Sequence, residues 1–316
     1  MDLTRGTAIL LVVLHHSIEI PETLGVGAPR ALAAVDAVFA PFRMPLLMFL
    51  SGMLLPRSFR RPARDYFVGK ARGILWPYLV WSLIVLAIAG ELSARILLNV
   101  VVYPPTYLWY LWFLFAFYVI AWVLHRFSVP PLGASAVILV ASMFLPDDYR
   151  LARFAFLMAF FFAGWWWAQA EERLRIGLRT RVAIVAVGLL LAAATAVLSA
   201  TGTVERYEAL FAWGTVGLIA AIALGLPSTA TRRWARPLEF VGRNSIVFYV
   251  SHYPVILALD SWLLAATDDG SLWISATLTM VAALAVGVVL TVARDRIPVV
   301  RWLFEWPMRR AVRTAS

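Results

Sequence analysis

Apolar residues occur in stretches of near twenty, broken by short clusters of arginine, acids, proline and glycine. This rhythm predicts ten helices, at roughly 3–20, 36–56, 73–90, 107–125, 131–146, 151–169, 182–201, 208–226, 241–262 and 272–293, the fifth being the shortest. A helix that crosses a hydrocarbon layer of about 30 Å needs about 20 mainly apolar residues, so the pattern implies an all-α, polytopic membrane bundle. It divides the chain into a transmembrane domain, 1–293, and a basic tail, 294–316. In the tail, R-W-L-F-E-W-P-M-R-R has the mixed basic and aromatic character of an interfacial helix.

Composition agrees with the pattern. The chain is 62% hydrophobic and 15% charged with mean hydropathy +0.81, whereas a soluble domain is about 45–50% apolar and about 25% charged. The absence of cysteine excludes disulfides and a thiolate nucleophile, and four scattered histidines without H-E-x-x-H give no expectation of a metal site. Two histidines interrupt the first apolar run, unlike the core of a cleaved signal peptide. Charge then orients the bundle. Segments on one side hold 22 of the 28 basic residues, including Arg5, the group from Arg57 to Arg72 and those from Arg294 onward. The positive-inside rule places both termini in the cytoplasm, and the net charge of +10 is explained without nucleic acid.

Few ionisable residues lie inside the spans, and these carry the candidate chemistry. Arg5 and His16 are eleven residues apart, within about 20° of one helix face and about 16 Å along the axis; His15 points elsewhere. Glu19, one turn on, either holds an imidazole in one tautomer or sits among headgroups. Arg43 has no acid near it in sequence and is flanked by Pro41 and Pro45; it either faces an internal site or snorkels to phosphates. His252, about 18 Å into the ninth span, reaches the depth of His16 and Arg43. Three ionisable groups on three spans thus point to a shared polar site in the outer half. Lys70 and Arg72, at the start of the third span, suit a polyanion arriving from the cytoplasm. Trp112, in an aromatic belt that opens the fourth span, is a further candidate for lining a site.

The ordered motifs R-G-x-A-I-L-L-V-V-L-x-H, F-R-M-P-L-L-M-F-L-S-G, K-A-R-G-I-L-W-P-Y-L-V-W, L-W-F-L and G-R-N-S-I-V-F-Y-V-S-H-Y-P span nearly the whole chain. Together they resemble the acyltransferase type-3 family of bacterial membrane O-acyltransferases. The resemblance implies a multi-pass protein of the bacterial cytoplasmic membrane that moves an acyl group, usually acetyl, from acyl-CoA to a hydroxyl of a carbohydrate or glycolipid. Acyl-CoA is then a co-substrate, with no tightly bound cofactor and no metal; lipids are partners, and a homodimer is possible. Arg5 and His16 match the family's essential pair, Arg43 the basic position before Met-Pro, and Lys70/Arg72 the donor-binding motif, although the family's two arginines three apart are here Lys70 and Gly73. On chemical grounds His16 suits the general base, with Arg43 or His252 as the donor to the developing oxyanion. The rival class is a ten-helix small-molecule exporter. Such carriers often have two related halves, and residues 151–316 show no second R-x10-H or Arg-Met-Pro.

Overall fold

The computed structural model describes residues 1–24, 30–100, 104–146, 150–171, 173–204, 207–225, 233–266 and 272–307. It is 84% helical, with no strand among the described residues. In chain order the helices are α1 (Asp2–Thr23), α2 (Arg30–Gly52), α3 (Leu55–Phe59), α4 (Ala63–Lys70), α5 (Trp76–Ile88), α6 (Ala94–Asn99), α7 (Trp109–Arg126), α8 (Pro131–Ser142), α9 (Leu151–Ala170), α10 (Leu178–Ala200), α11 (Ala212–Gly225), α12 (Arg236–Arg243), α13 (Ser245–Ala266), α14 (Leu272–Arg296) and α15 (Pro298–Trp302).

Eight helical stretches are long and apolar enough to cross a membrane. The other two spans expected from the sequence, at 131–146 and 208–226, form shorter helices. With 12 residues in α8 and 14 in α11, they rise about 18 and 21 Å, short of a hydrocarbon core of about 30 Å. Prolines at 130, 131 and 146 bracket α8, and each short helix lies against a long neighbour, α8 on α9 and α11 on α10. The third span also begins earlier than its apolar run. α4 and α5 are joined through a π-helical turn, Ala71–Leu75, so Lys70 and Arg72 stand on one continuous rod instead of in a loop. The tail does not lie apart. The indole N–H groups of Trp76 and Trp81 donate to the carbonyls of Trp302 and Leu303, at 2.7 and 3.1 Å, and Phe304 is buried; from residue 308 the tail lies outside the described residues.

α2 is the central post. In its most apolar window 78% of residues are buried, against 17% in α10, whose other sides remain uncovered. Helices in lipid gain little from hydrophobic burial against one another and rely on close packing of small residues. Gly52 of α2 meets the Phe161 carbonyl of α9, and Gly164 returns the contact at Phe49. Gly6 of α1 and Gly242 of α12 pair likewise, so a methyl group at either would overlap the opposite backbone.

Prolines inside helices leave the carbonyl four residues earlier without its usual donor. In lipid such a group must find another partner. For Pro41 that carbonyl is Ala37, which accepts from Ser199 Oγ of α10 at 2.7 Å. For Pro45 it is Pro41, which accepts from Thr215 Oγ1 of α11 at 3.2 Å. For Pro254 of α13 it is Val250, which accepts from Tyr107 Oη at 2.6 Å. Each freed carbonyl is thereby tied to a neighbouring element.

Candidate active site

A cavity of about 840 Å³ opens where the C-terminal end of α1, the N-terminal half of α2 and the start of α7 come together with residues from α9, α10 and α13. This is within the roughly 300–1,000 Å³ usual for small-molecule sites. His15, His16, Glu19, Asp36, Arg43, Tyr107, Tyr249 and Tyr253 line it on the α1 side. Thr106 and Tyr207, also on the wall, hold φ of 40° and 66°. A bulky residue at positive φ is strained, and such strain persists where surrounding structure requires it, often at functional sites.

The hydrogen bonds of the two facing histidines fix their tautomers. His252, from α13, sets Nδ1 3.1 Å from the Phe248 carbonyl. A carbonyl only accepts, so Nδ1 carries the proton and Nε2 offers a lone pair. That lone pair lies 3.1 Å from His16 Nδ1, which is also 3.0 Å from the Val12 carbonyl. Both neighbours of His16 Nδ1 are acceptors, so its proton sits there. His16 Nε2 is therefore the unprotonated nitrogen, facing the cavity with Glu19 Oε2 at 3.8 Å. Tyr253 and Tyr107 stand edge-on to the ring, with centroids 5.4 and 6.2 Å away.

His15 is committed differently. Its Nδ1 lies 3.0 Å from Asp36 Oδ2 and its Nε2 3.4 Å from Glu19 Oε2, so both nitrogens face carboxylates. Asp36 also receives Arg43 Nη1 at 2.5 Å. This corrects the expectation that Arg43 lacks an acidic neighbour. Asp36 precedes it by seven residues, two helical turns that bring both to one face of α2, and both are buried. Arg43 is held in a buried ion pair and reaches the histidines through Asp36 and His15. The nitrogens of His15 and His16 and the Glu19 carboxylate also lie within 4.8 Å of one another, a grouping able to hold a metal ion.

The remaining sequence candidates lie elsewhere. Arg5 donates from Nη2 to the Leu50 carbonyl at 3.3 Å, in the interface of α1 and α2. Lys70, the only lysine in the chain, sets Nζ 3.5 Å from the centre of the Tyr118 ring and 3.2 Å from Ser58 Oγ. Tyr118 in turn donates to the Ser51 carbonyl at 3.0 Å, and Ser51 Oγ lies 3.4 Å from Tyr110 Oη. Arg72 is bound to Glu305 at 3.0 Å. Trp112 does not line the cavity; its ring packs against Phe113 and Phe154. Trp109, one turn earlier, does line it, with Arg153 beside it. Neither Asp36 nor Arg153 was a sequence candidate.

The family model described as an acyltransferase domain matches residues 1–292, nearly the whole chain. The chain belongs to this acyltransferase family. With its apolar helices, it is a multi-pass membrane acyltransferase. No curated protein and no solved structure matches it. The acyltransferase thus places a fixed imidazole lone pair, a carboxylate and several tyrosine rings on the wall of one cavity.

Proposed function

We propose that this acyltransferase moves an acetyl group from acetyl-CoA to a hydroxyl of a carbohydrate or glycolipid acceptor, with His16 Nε2 as general base. The observation that carries the reading is the fixed tautomer of His16, which directs its lone pair into the cavity. An alcohol is a poor nucleophile toward a thioester until a base takes its proton as the new bond forms. The acceptor oxygen attacks the thioester carbonyl carbon while its proton passes to His16 Nε2. Glu19, 3.8 Å away, lies where a carboxylate favours the imidazolium that results. Collapse of the tetrahedral intermediate breaks the carbon–sulfur bond, and the thiolate takes the proton from His16. The products are an ester, free coenzyme A and the neutral histidine.

The donor enters from the Lys70 end. Lys70 has no carboxylate within ion-pair distance among the described residues, whereas Arg72 is already paired with Glu305. Of these two, Lys70 is therefore the cation available to the coenzyme's phosphates, and Arg5 stands between it and the histidines. We place both termini on the cytoplasmic side of a bacterial cell membrane, which puts the acceptor cavity toward the outside. The test is purified protein in lipid nanodiscs, with thiol release and sugar acetylation measured for wild type and His16→Ala. Unchanged acetylation by the variant rejects the proposed base, and thiol release without acylated sugar rejects the acceptor class.

A further inference from the structure

Another part of the cavity wall is built from other materials. Arg153, in the first turn of α9, has its guanidinium carbon 5.2 Å from the Trp109 ring centre and 5.0 Å from that of Tyr207. All three residues line the cavity. Two aromatic faces hold the guanidinium, and cation–π contact leaves its in-plane N–H donors available. Its Nε is buried with no hydrogen-bond partner, and among the described residues no acid pairs with it.

The other charges on the wall are accounted for. Arg43 is neutralised by Asp36, which also faces His15. Glu19 lies beside the two histidines, and Glu22 is exposed at the margin. Arg153 is thus the one cation on the described wall without a counter-ion. A buried donor left unsatisfied is costly, and a guanidinium is best satisfied by a carboxylate or phosphate through paired N–H donors. The remaining surface of the Trp109 and Tyr207 rings, also on the cavity wall, is apolar and suits a sugar ring.

We infer that the wall formed by Arg153, Trp109 and Tyr207 is an anion subsite, and that the acceptor is an anionic saccharide bearing a carboxylate or phosphate. This assignment rests on the reading of the cavity as the acceptor site. The bound anion lies at Arg153 and the reacting hydroxyl at His16.

The probes are methyl glucuronide and glucose 1-phosphate, with methyl glucoside as the neutral control. Binding is read by the thermal shift of the full chain in nanodiscs, and turnover by acetyl transfer to each probe. The wild type is expected to bind at least one charged probe about tenfold more tightly than the neutral sugar. In Arg153→Gln that preference falls to about one, and Arg153→Lys, which keeps the charge without the planar fork, retains part of it. Melting of each variant without ligand shows whether it has folded, and the lysine variant carries the test if the glutamine variant has not. Equal binding of charged and neutral probes by the wild type, no binding of either charged probe, or an undiminished preference in the folded glutamine variant overturns the subsite. Arg153-dependent binding without acetyl transfer to any probe supports the subsite while rejecting the acyl-transfer reading, so the two fail separately.

Discussion

The two ends of the polar core along α1 are neutralised in opposite ways. Around His16, cations and acids are matched at short range: Arg43 with Asp36, Asp36 with His15, and Glu19 between two imidazoles. Around Lys70 the cation rests on the Tyr118 ring and the Ser58 hydroxyl, without a carboxylate among the described residues. A matched cluster holds its geometry and leaves a single directed lone pair. An unmatched cation attracts anions but specifies their position poorly. The contrast fits the proposal above, in which proton transfer takes place at one end and capture of a polyanionic donor at the other.

The sharpest way to break this comparison is at His16. His16→Ala should lower acetyl transfer by about 10²–10⁴-fold with the donor KM nearly unchanged, measured by single-turnover product formation. A large rise in donor KM instead would merge the two ends into one site. Next in size is Asp36→Asn, which leaves Arg43 buried without its counter-charge and should cost about 3–5 kcal/mol of stability, read from denaturation in detergent. An unchanged midpoint would mean that Arg43 does not depend on this pairing. Lys70→Met should raise the donor KM about tenfold at low salt with kcat little affected, and the difference from wild type should shrink at high salt. A kcat effect independent of salt would place Lys70 in the chemical step. The smallest effect is expected at Trp112, which packs outside the cavity: Trp112→Phe should change transfer less than about twofold, by the same assay.

These residues also show how far the sequence could be read. The depth of His252 was legible because helical rise is a fixed quantity, and counting residues placed it level with His16, which it meets at 3.1 Å. The partner of Arg43 is not evident from adjacent positions, because Asp36 lies two turns back on the same face. Nothing in the local sequence of Arg153 shows that Trp109 and Tyr207, from distant parts of the chain, enclose it. Trp109 and Trp112 belong to one aromatic belt but point about 60° apart around α7, enough to put one on the cavity and the other among phenylalanines. The prolines of α2 and α13 announced orphan carbonyls, yet the donors that satisfy them, Ser199, Thr215 and Tyr107, come from other elements. One-dimensional periodicity reports depth and face, and tertiary contact supplies the rest.

The glycine contact between α1 and α12 has a mechanical consequence. Gly6 is wedged against the Leu238 carbonyl, next to Arg5 and ten residues from His16. That contact is a fulcrum, and the rest of α1 is a lever arm of about 15 Å. A tilt of about 5° at the fulcrum would swing the imidazole by about 1.3 Å over such an arm. That is enough to break its 3.1 Å contact with His252 and to turn its lone pair away from the acceptor. Misplacement of about 1 Å can cost about a hundredfold in rate, so under the proposed mechanism the smallest side chain in α1, far from the reacting atoms, sets the aim of the base.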